Sequence, residues 1–146
     1  MKTMKLGLSN LGLKRGSGGF SLIELMIVIG IVALLVALAL PSYREFIRKS
    51  NRGEAQQLLM NWANLQEIWR SNHTTYAVIS NDPAVGIPAP THDLYTFTMP
   101  AAPTATTYVL QAATSHADQV KDKDQGQSCA TMTVNQTNTK THVLCW

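Results

Sequence analysis

Residues Leu25–Leu40 are apolar or glycine without exception, a run of 16, and Glu24 stands immediately before it. Counted from Phe20, the segment reaches 21 residues with that single carboxylate inside it. About 20 residues suffice to cross a ~30 Å hydrocarbon core as an α-helix. Lys14 and Arg15 precede the run, so the positive-inside rule holds the N-terminus in the cytoplasm and sends everything after Pro41 across the membrane. A carboxylate there is costly, roughly 2.5–3.5 kcal/mol near a helix centre, and ionisable residues at membrane depth ordinarily have a partner and a function.

Two ordinary readings compete. A cleavable secretory signal also has basic residues, an apolar core and a small-x-small site, which Ala37-Leu38-Ala39 supplies. Its product would be a secreted soluble domain that binds DNA or a surface. Such a core is usually only about 7–15 residues, and Glu24 has no place in it. A plain single-pass anchor accounts for the length and leaves Glu24 unexplained. A cut between Gly19 and Phe20 supplies the missing partner, because it frees an α-amino group four residues before Glu24, roughly 6 Å along a helix axis. Between two staggered copies the carboxylate of one meets the amine of the next. Each charge is costly alone in lipid, and the pair specifies a stagger.

The segment "GGFSLIELMIVIGIVALLVALALPSY" resembles the N-terminus of type IV prepilins. The resemblance implies that prepilin peptidase, an intramembrane aspartic protease, cleaves after Gly19 and N-methylates Phe20. It implies storage as a single-pass inner-membrane protein with a periplasmic C-terminus, then extraction by the inner-membrane assembly machinery into an extracellular filament of pilin subunits. Glu24 would neutralise the N-terminal amine of a neighbouring subunit, and Gly30 and Pro41 match the positions between which such helices loosen. The leader of 19 residues is longer than usual for the phenylalanine-starting class, and Met4 is an alternative start.

Pro41 on its own predicts a kink or local unwinding, since it lacks an N–H and crowds the carbonyl of Ala37; Gly53 is a second weak point. Gly30, Ala33 and Ala37 form a small-residue strip that lets helices approach closely. Past Pro41 the apolar run gives way to an amphipathic pattern in which Leu58, Trp62, Leu65 and Trp69 share one helical face. Good helix formers fill "EAQQLLMNWANLQEIW". The expected helix runs from about Phe20 to about Ser71, some 80 Å at ~1.5 Å per residue, and its second half must bury its stripe against the domain that follows.

After the helix, "SNHTTYAVISNDPAVGIPAPTHD" reads as an irregular connection. Strand signals follow in "YTFTM", in "TYVLQAA" (Thr107–Ala113), in "CATMTV" and in "THVLCW". The expected fold is α+β, a long N-terminal helix packed on a small antiparallel sheet of about four strands. It divides into a leader (1–19), a transmembrane and filament-core half-helix (20–46), an amphipathic half-helix (47–72) and a globular head (73–146). The resemblance makes this a pilin fold. Cys129 and Cys145 flank the last strand pair, and on the oxidising side of a membrane a disulfide is the default for them. The closed C-terminal loop is similar to that of type IVa pilins, and the short head to that of minor pilins. The paired cysteines lean against a type II secretion pseudopilin.

Composition narrows the functional classes. The chain of 146 residues is 45% hydrophobic and 14% charged with a formal net charge of +3, but Lys2, Lys5, Lys14 and Arg15 all lie in the leader. From Phe20 onward 8 basic residues face 9 acidic ones, so the overall charge gives no support for nucleic-acid binding. Lys121, Lys123, Lys140, His142 and Trp146 would make a basic patch with a stacking ring. Asp118, Asp122 and Asp124 cancel most of that charge, so a mixed-sign surface is the expected reading and DNA binding has no support from the sequence. Ser115, His116 and Asp118 are close in sequence without the convergence that a nucleophile, base and orienter require. His73, His92, His116 and His142 lack metal-type spacing. Neither catalysis, nor a metal, nor a cofactor is expected.

Overall fold

The computed structural model describes residues 19–146; the expected leader lies outside the described residues apart from Gly19. The chain divides into two compact units, Met1–Leu38 and Ala39–Trp146. One helix, α1, spans Leu22–Asn72, close to the expected bounds. Ser21 caps it, its Oγ accepting the Glu24 N–H at 3.2 Å, in the S-x-x-E spacing of a capping box. In the N-terminal unit every α1 side chain is exposed and apolar residues occur all round, as in a helix whose surroundings are not water. Pro41 lies inside α1 and helical structure continues on both sides of it and of Gly30. The unwinding expected there is not part of this conformation.

In the C-terminal unit α1 buries Arg52, Ala55, Leu59, Trp62, Ala63 and Gln66, one stripe at three- and four-residue spacing. The stripe is rotated from the expected one. Trp62 is common to both, but Leu65 is exposed and Trp69 half-buried, and these two line an open cleft of about 400 Å³ with Ile68, Pro83, Ile87 and Pro88. Apolar content alone misplaced the face because two of its members are polar. Gln66 is fully buried and satisfies both backbone polar groups of one residue: its Oε1 accepts the Ala77 N–H at 2.9 Å and its Nε2 donates to the Ala77 carbonyl at 3.2 Å.

The main sheet has three strands in the order β3-β4-β7. Its strands are β3 (Thr96–Thr98), β4 (Val109–Ala113) and β7 (Thr131–Asn135). All pairings are antiparallel, with Phe97 opposite Ala112 and Leu110 opposite Val134. Period-2 alternation turns Phe97, Leu110, Ala112, Met132 and Val134 into the core, where Trp62 meets Phe97 edge-on with centroids 6.5 Å apart. Thr96, Thr98, Gln111, Thr131 and Thr133 occupy the other face. Two short pairs flank the sheet: β5 (Lys123–Asp124) with β6 (Gln127–Ser128), and β1 (Val78–Ile79) with β2 (Gly86–Ile87).

Two expectations are corrected. Thr141–Trp146 is not a fourth strand: Val143–Cys145 is a 3-10 turn, and only Lys140 bridges to Val134. The turn follows from three ties, two of them to residues distant in sequence. Cys145 is held to Cys129 by a disulfide with a Cα separation of 5.5 Å, Gln56 Nε2 donates to the Cys145 carbonyl, and the Cys145 N–H bonds to His142 O at 2.7 Å. The connection after α1 is likewise not wholly irregular, because β1 and β2 pair in parallel, Val78 opposite Gly86. A side chain on Gly86 would place Cβ 2.2 Å from the Val78 carbonyl oxygen, so only glycine fits. Gly86→Ala is therefore expected to destabilise the C-terminal unit by about 1–3 kcal/mol, read as a lowered unfolding midpoint of the detergent-solubilised chain.

Candidate nucleic-acid interface

The sequence Lys121-Asp122-Lys123-Asp124 is neutral as written, but its backbone sorts it by sign. From Asp122 onward the chain is extended, so alternate side chains point to opposite sides. Asp122 is 1% exposed and Asp124 half-buried, whereas Lys121 and Lys123 face solvent. The acids meet cations of α1. Arg52, 8% exposed, donates from Nη1 to Asp122 Oδ2 at 3.2 Å and from Nη2 to Asp124 Oδ2 at 3.0 Å. Arg48 Nη1 reaches Asp118 Oδ1 at 3.4 Å. Lys121, Lys123 and Lys140 make no ion pair among the described residues.

Neutral bonds hold the same segment. Gln119, buried in the 3-10 turn Gln119–Lys121, accepts from Asn51 Nδ2 at 3.2 Å. Its own Nε2 lies 2.9 Å from both the Arg48 carbonyl and the Tyr95 hydroxyl oxygen. Burial pushes the Tyr95 phenol up. The Cys129 N–H bonds to Asp122 O at 3.0 Å, so the lysine segment is tied directly to the disulfide. The 3-10 turn Val143–Cys145 touches both β5 and β6, which brings the C-terminal residues beside Lys123. There Lys140 Nζ lies 4.4 Å from the Trp146 ring centroid, within cation–π range. Trp146 Nε1 donates to the Thr141 carbonyl at 3.0 Å. A cleft of about 360 Å³ opens next to that pair, lined by Gln56, Gln57, Met60 and Gly53.

The residues Lys121, Lys123, Lys140, His142 and Trp146, expected from the sequence to sit on a mixed-sign surface, come from neighbouring elements; Asp122 and Asp124 face α1, while Asp118 keeps a half-exposed side chain against Arg48. His142 departs from the set: its ring Nδ1 sits 3.0 Å from the Thr131 carbonyl. Asp118 is engaged by Arg48, which takes it out of any grouping with Ser115 and His116. At the other end of the chain Gly19 and Phe20 lie exposed just before α1, and Glu24 is in its first turn. Sequence reasoning missed Arg48, Asn51 and Arg52. Their spacing places all three on the face that continues into Ala55, a signal that a search for apolar residues passes over.

Asp122 Oδ1 is buried and has no hydrogen-bond partner among the described residues. Burial accordingly raises the Asp122 carboxyl above its ordinary value of 3.8, against the pull of Arg52, Arg48 and Lys49. A carboxyl whose folded pKa is raised binds its proton more tightly in the folded chain than in the unfolded one. Its contribution to stability is fully present below about pH 3.8 and is lost as pH climbs through the raised value. The stability advantage of wild type over Asp122→Asn is therefore expected to be largest in acid and to shrink toward neutrality, measured by denaturant unfolding over a pH series. An advantage that grows with pH would mean that pairing with Arg52 outweighs burial.

Comparison with known proteins gives the following likenesses. Residues 41–133 match the family described as type IV minor pilin ComP, DNA uptake sequence receptor, and residues 14–40 match the prokaryotic N-terminal methylation motif. Over 84 residues the chain is 34% identical to prepilin peptidase-dependent protein D of Escherichia coli strain K12, covering 58% of this chain and 57% of that protein. It is 50% identical over 46 residues to fimbrial protein EcpC of Eikenella corrodens, covering 32% and 30%. It is 36% identical over 76 residues to type IV major pilin protein PilE1 of Neisseria gonorrhoeae, covering 52% and 45%. The matches to these relatives thus span from 30% to 57% of their length. A solved type IV pilin from Shewanella oneidensis has the same fold, with a TM-score of 0.51 at 18% identity over 68% of this chain and 97% of that one.

Proposed function

The chain belongs to the family of type IV minor pilin ComP, DNA uptake sequence receptor, and from that premise we propose that it is a minor pilus subunit whose Lys121, Lys123, Lys140 and Trp146 surface receives DNA. One observation carries this reading: the carboxylates interleaved with the lysines, Asp122 and Asp124, are both paired with Arg52 of α1, so the solvent side of the segment is basic although the head as a whole is not. Lysines without a counter-charge bind phosphates and release condensed counterions, which gives affinity and fast encounter without sequence information. The Trp146 ring and the Gln56–Gln57 cleft add a face and amide groups that can contact sugar or base.

Assembly rests on the other end of the chain. In this proposal residues 1–19 are the leader, prepilin peptidase cuts after Gly19 and methylates Phe20, and residues 20–46 hold the subunit in the inner membrane before they enter the filament core. Residues 47–72 and the head 73–146 then display the binding face outside. Glu24 pairs with the amine of a neighbouring subunit, and Gly30 and Pro41 let the helix loosen during packing. The subunit is structural and performs no catalysis of its own.

Two experiments test the proposal. In fluorescence anisotropy with duplex DNA, the detergent-solubilised chain is expected to bind with an affinity that falls steeply with salt. Lys121→Ala with Lys123→Ala should weaken binding and lower the salt slope by about two. A wild-type chain that ignores duplex DNA at low salt removes the receptor role. For assembly, Glu24→Val should leave export, membrane retention and a mature mass starting at methylated Phe20 intact, since the change lowers the cost of residence in lipid, while the subunit disappears from sheared filaments. Glu24→Asp should fall between. Equal incorporation of the Val variant would remove the pairing role.

A further inference from the structure

The lysine segment owes its basic face to a residue that does not reach that face. We infer that Arg52 is a positioning residue for DNA binding: by holding the carboxylates of Asp122 and Asp124 on the inner side of the segment and offsetting part of their charge, it keeps the surface that Lys121 and Lys123 present net positive. This rests on the DNA-receptor reading above and assigns a part in it to a buried helix residue.

The charges make the case. Asp118, Asp122 and Asp124 with Lys121 and Lys123 carry a net −1 on the segment itself, and Arg48 and Arg52 of α1 turn that into +1. A phosphate approaching the lysines from solvent responds to the summed charge of the segment and its partners, and buried pairs are screened less by salt than exposed ones. Without Arg52 the sum falls to 0, and the net attraction for phosphate is lost. Arg48 and Arg52 bring equal charge, but only Arg52 also positions the segment's acids, its planar fork reaching both Asp122 and Asp124, at 3.2 and 3.0 Å. Arg52 and Asp122 are both buried, which leaves neither free to contact a duplex. The segment does not depend on Arg52 alone for its place, since Gln119 bonds to Asn51, to the Arg48 carbonyl and to Tyr95, and Asp122 O is bonded by Cys129. Removing the guanidinium thus uncovers charge more than it releases the loop.

The test is charge rescue, read on duplex DNA by anisotropy across a salt series with the detergent-solubilised full chain. Arg52→Gln, with both lysines intact, is expected to bind about tenfold more weakly at moderate salt. Arg52→Gln combined with Asp122→Asn and Asp124→Asn, which removes one cation and two anions and so leaves +2 against the wild-type +1, is expected to recover at least wild-type affinity. Arg52→Lys, a point charge that cannot fork to both acids, is expected to lie between, and it replaces Arg52→Gln as the weakened parent if the latter does not fold. A triple variant as weak as the single one overturns the inference, since Arg52 then acts by contact or by fold. Unchanged binding by Arg52→Gln overturns it as well, and neither result touches the lysine surface. Failure of the wild type to bind, or indifference to the lysine substitutions, overturns both the receptor reading and this inference.

Discussion

The C-terminal unit is organised by the burial of a single helical stripe, Ala55, Leu59, Trp62 and Ala63, beneath the inner face of β3, β4 and β7. One sheet of three strands offers little apolar area, so where the stripe lies on the helix matters as much as how apolar it is. Its two ends are polar. Arg52 closes one end with Asp122 and Asp124, and Gln66 closes the other with both bonds of Ala77. An apolar contact tolerates sliding, whereas a buried polar group out of register is left unsatisfied and costs about 1–3 kcal/mol. The two polar ends therefore set the register of the helix, and the residues between them supply most of its burial.

What the sequence revealed and what it hid follow from the range of each signal. The membrane-type run, the approximate ends of α1 and the strands around Phe97, Leu110 and Met132 were legible because each is written in consecutive residues of one periodicity. The phase of the α1 stripe was not, because Leu65 and Trp69 are as apolar as Leu59 and Trp62 and only the partners of Arg52 and Gln66 distinguish the two faces. The last six residues alternate much as a strand would, and what bends them is a bond to Cys129, 16 positions away. The basic surface was the least visible feature. Lys121-Asp122-Lys123-Asp124 reads as neutral until both aspartates find Arg52, about 70 residues earlier in the chain.

The disulfide belongs to the same economy of a small core. A crosslink with a sequence separation of 16 restricts the unfolded chain by an amount worth about 3 kcal/mol on the loop-entropy estimate. It also reaches both halves of the proposed receptor surface. Cys129 is bonded to Asp122, behind the lysines, and Cys145 precedes Trp146, so one covalent link registers the two against each other.

The cap on α1 has a consequence for maturation. Ser21 supplies the first hydrogen bond of the helix to the Glu24 N–H, and both residues lie on the mature side of a cut after Gly19. Proteolysis at that bond would therefore leave the first hydrogen bond of the helix in place. The ammonium created at Phe20 would nonetheless stand at the positive pole of the helix dipole, where like charge is unfavourable. A carboxylate in the first turn eases that conflict within the subunit before any neighbour arrives. Glu24 would then act twice in sequence, first as the local counter-ion of its own helix end and later as the acceptor that a neighbouring amine must win.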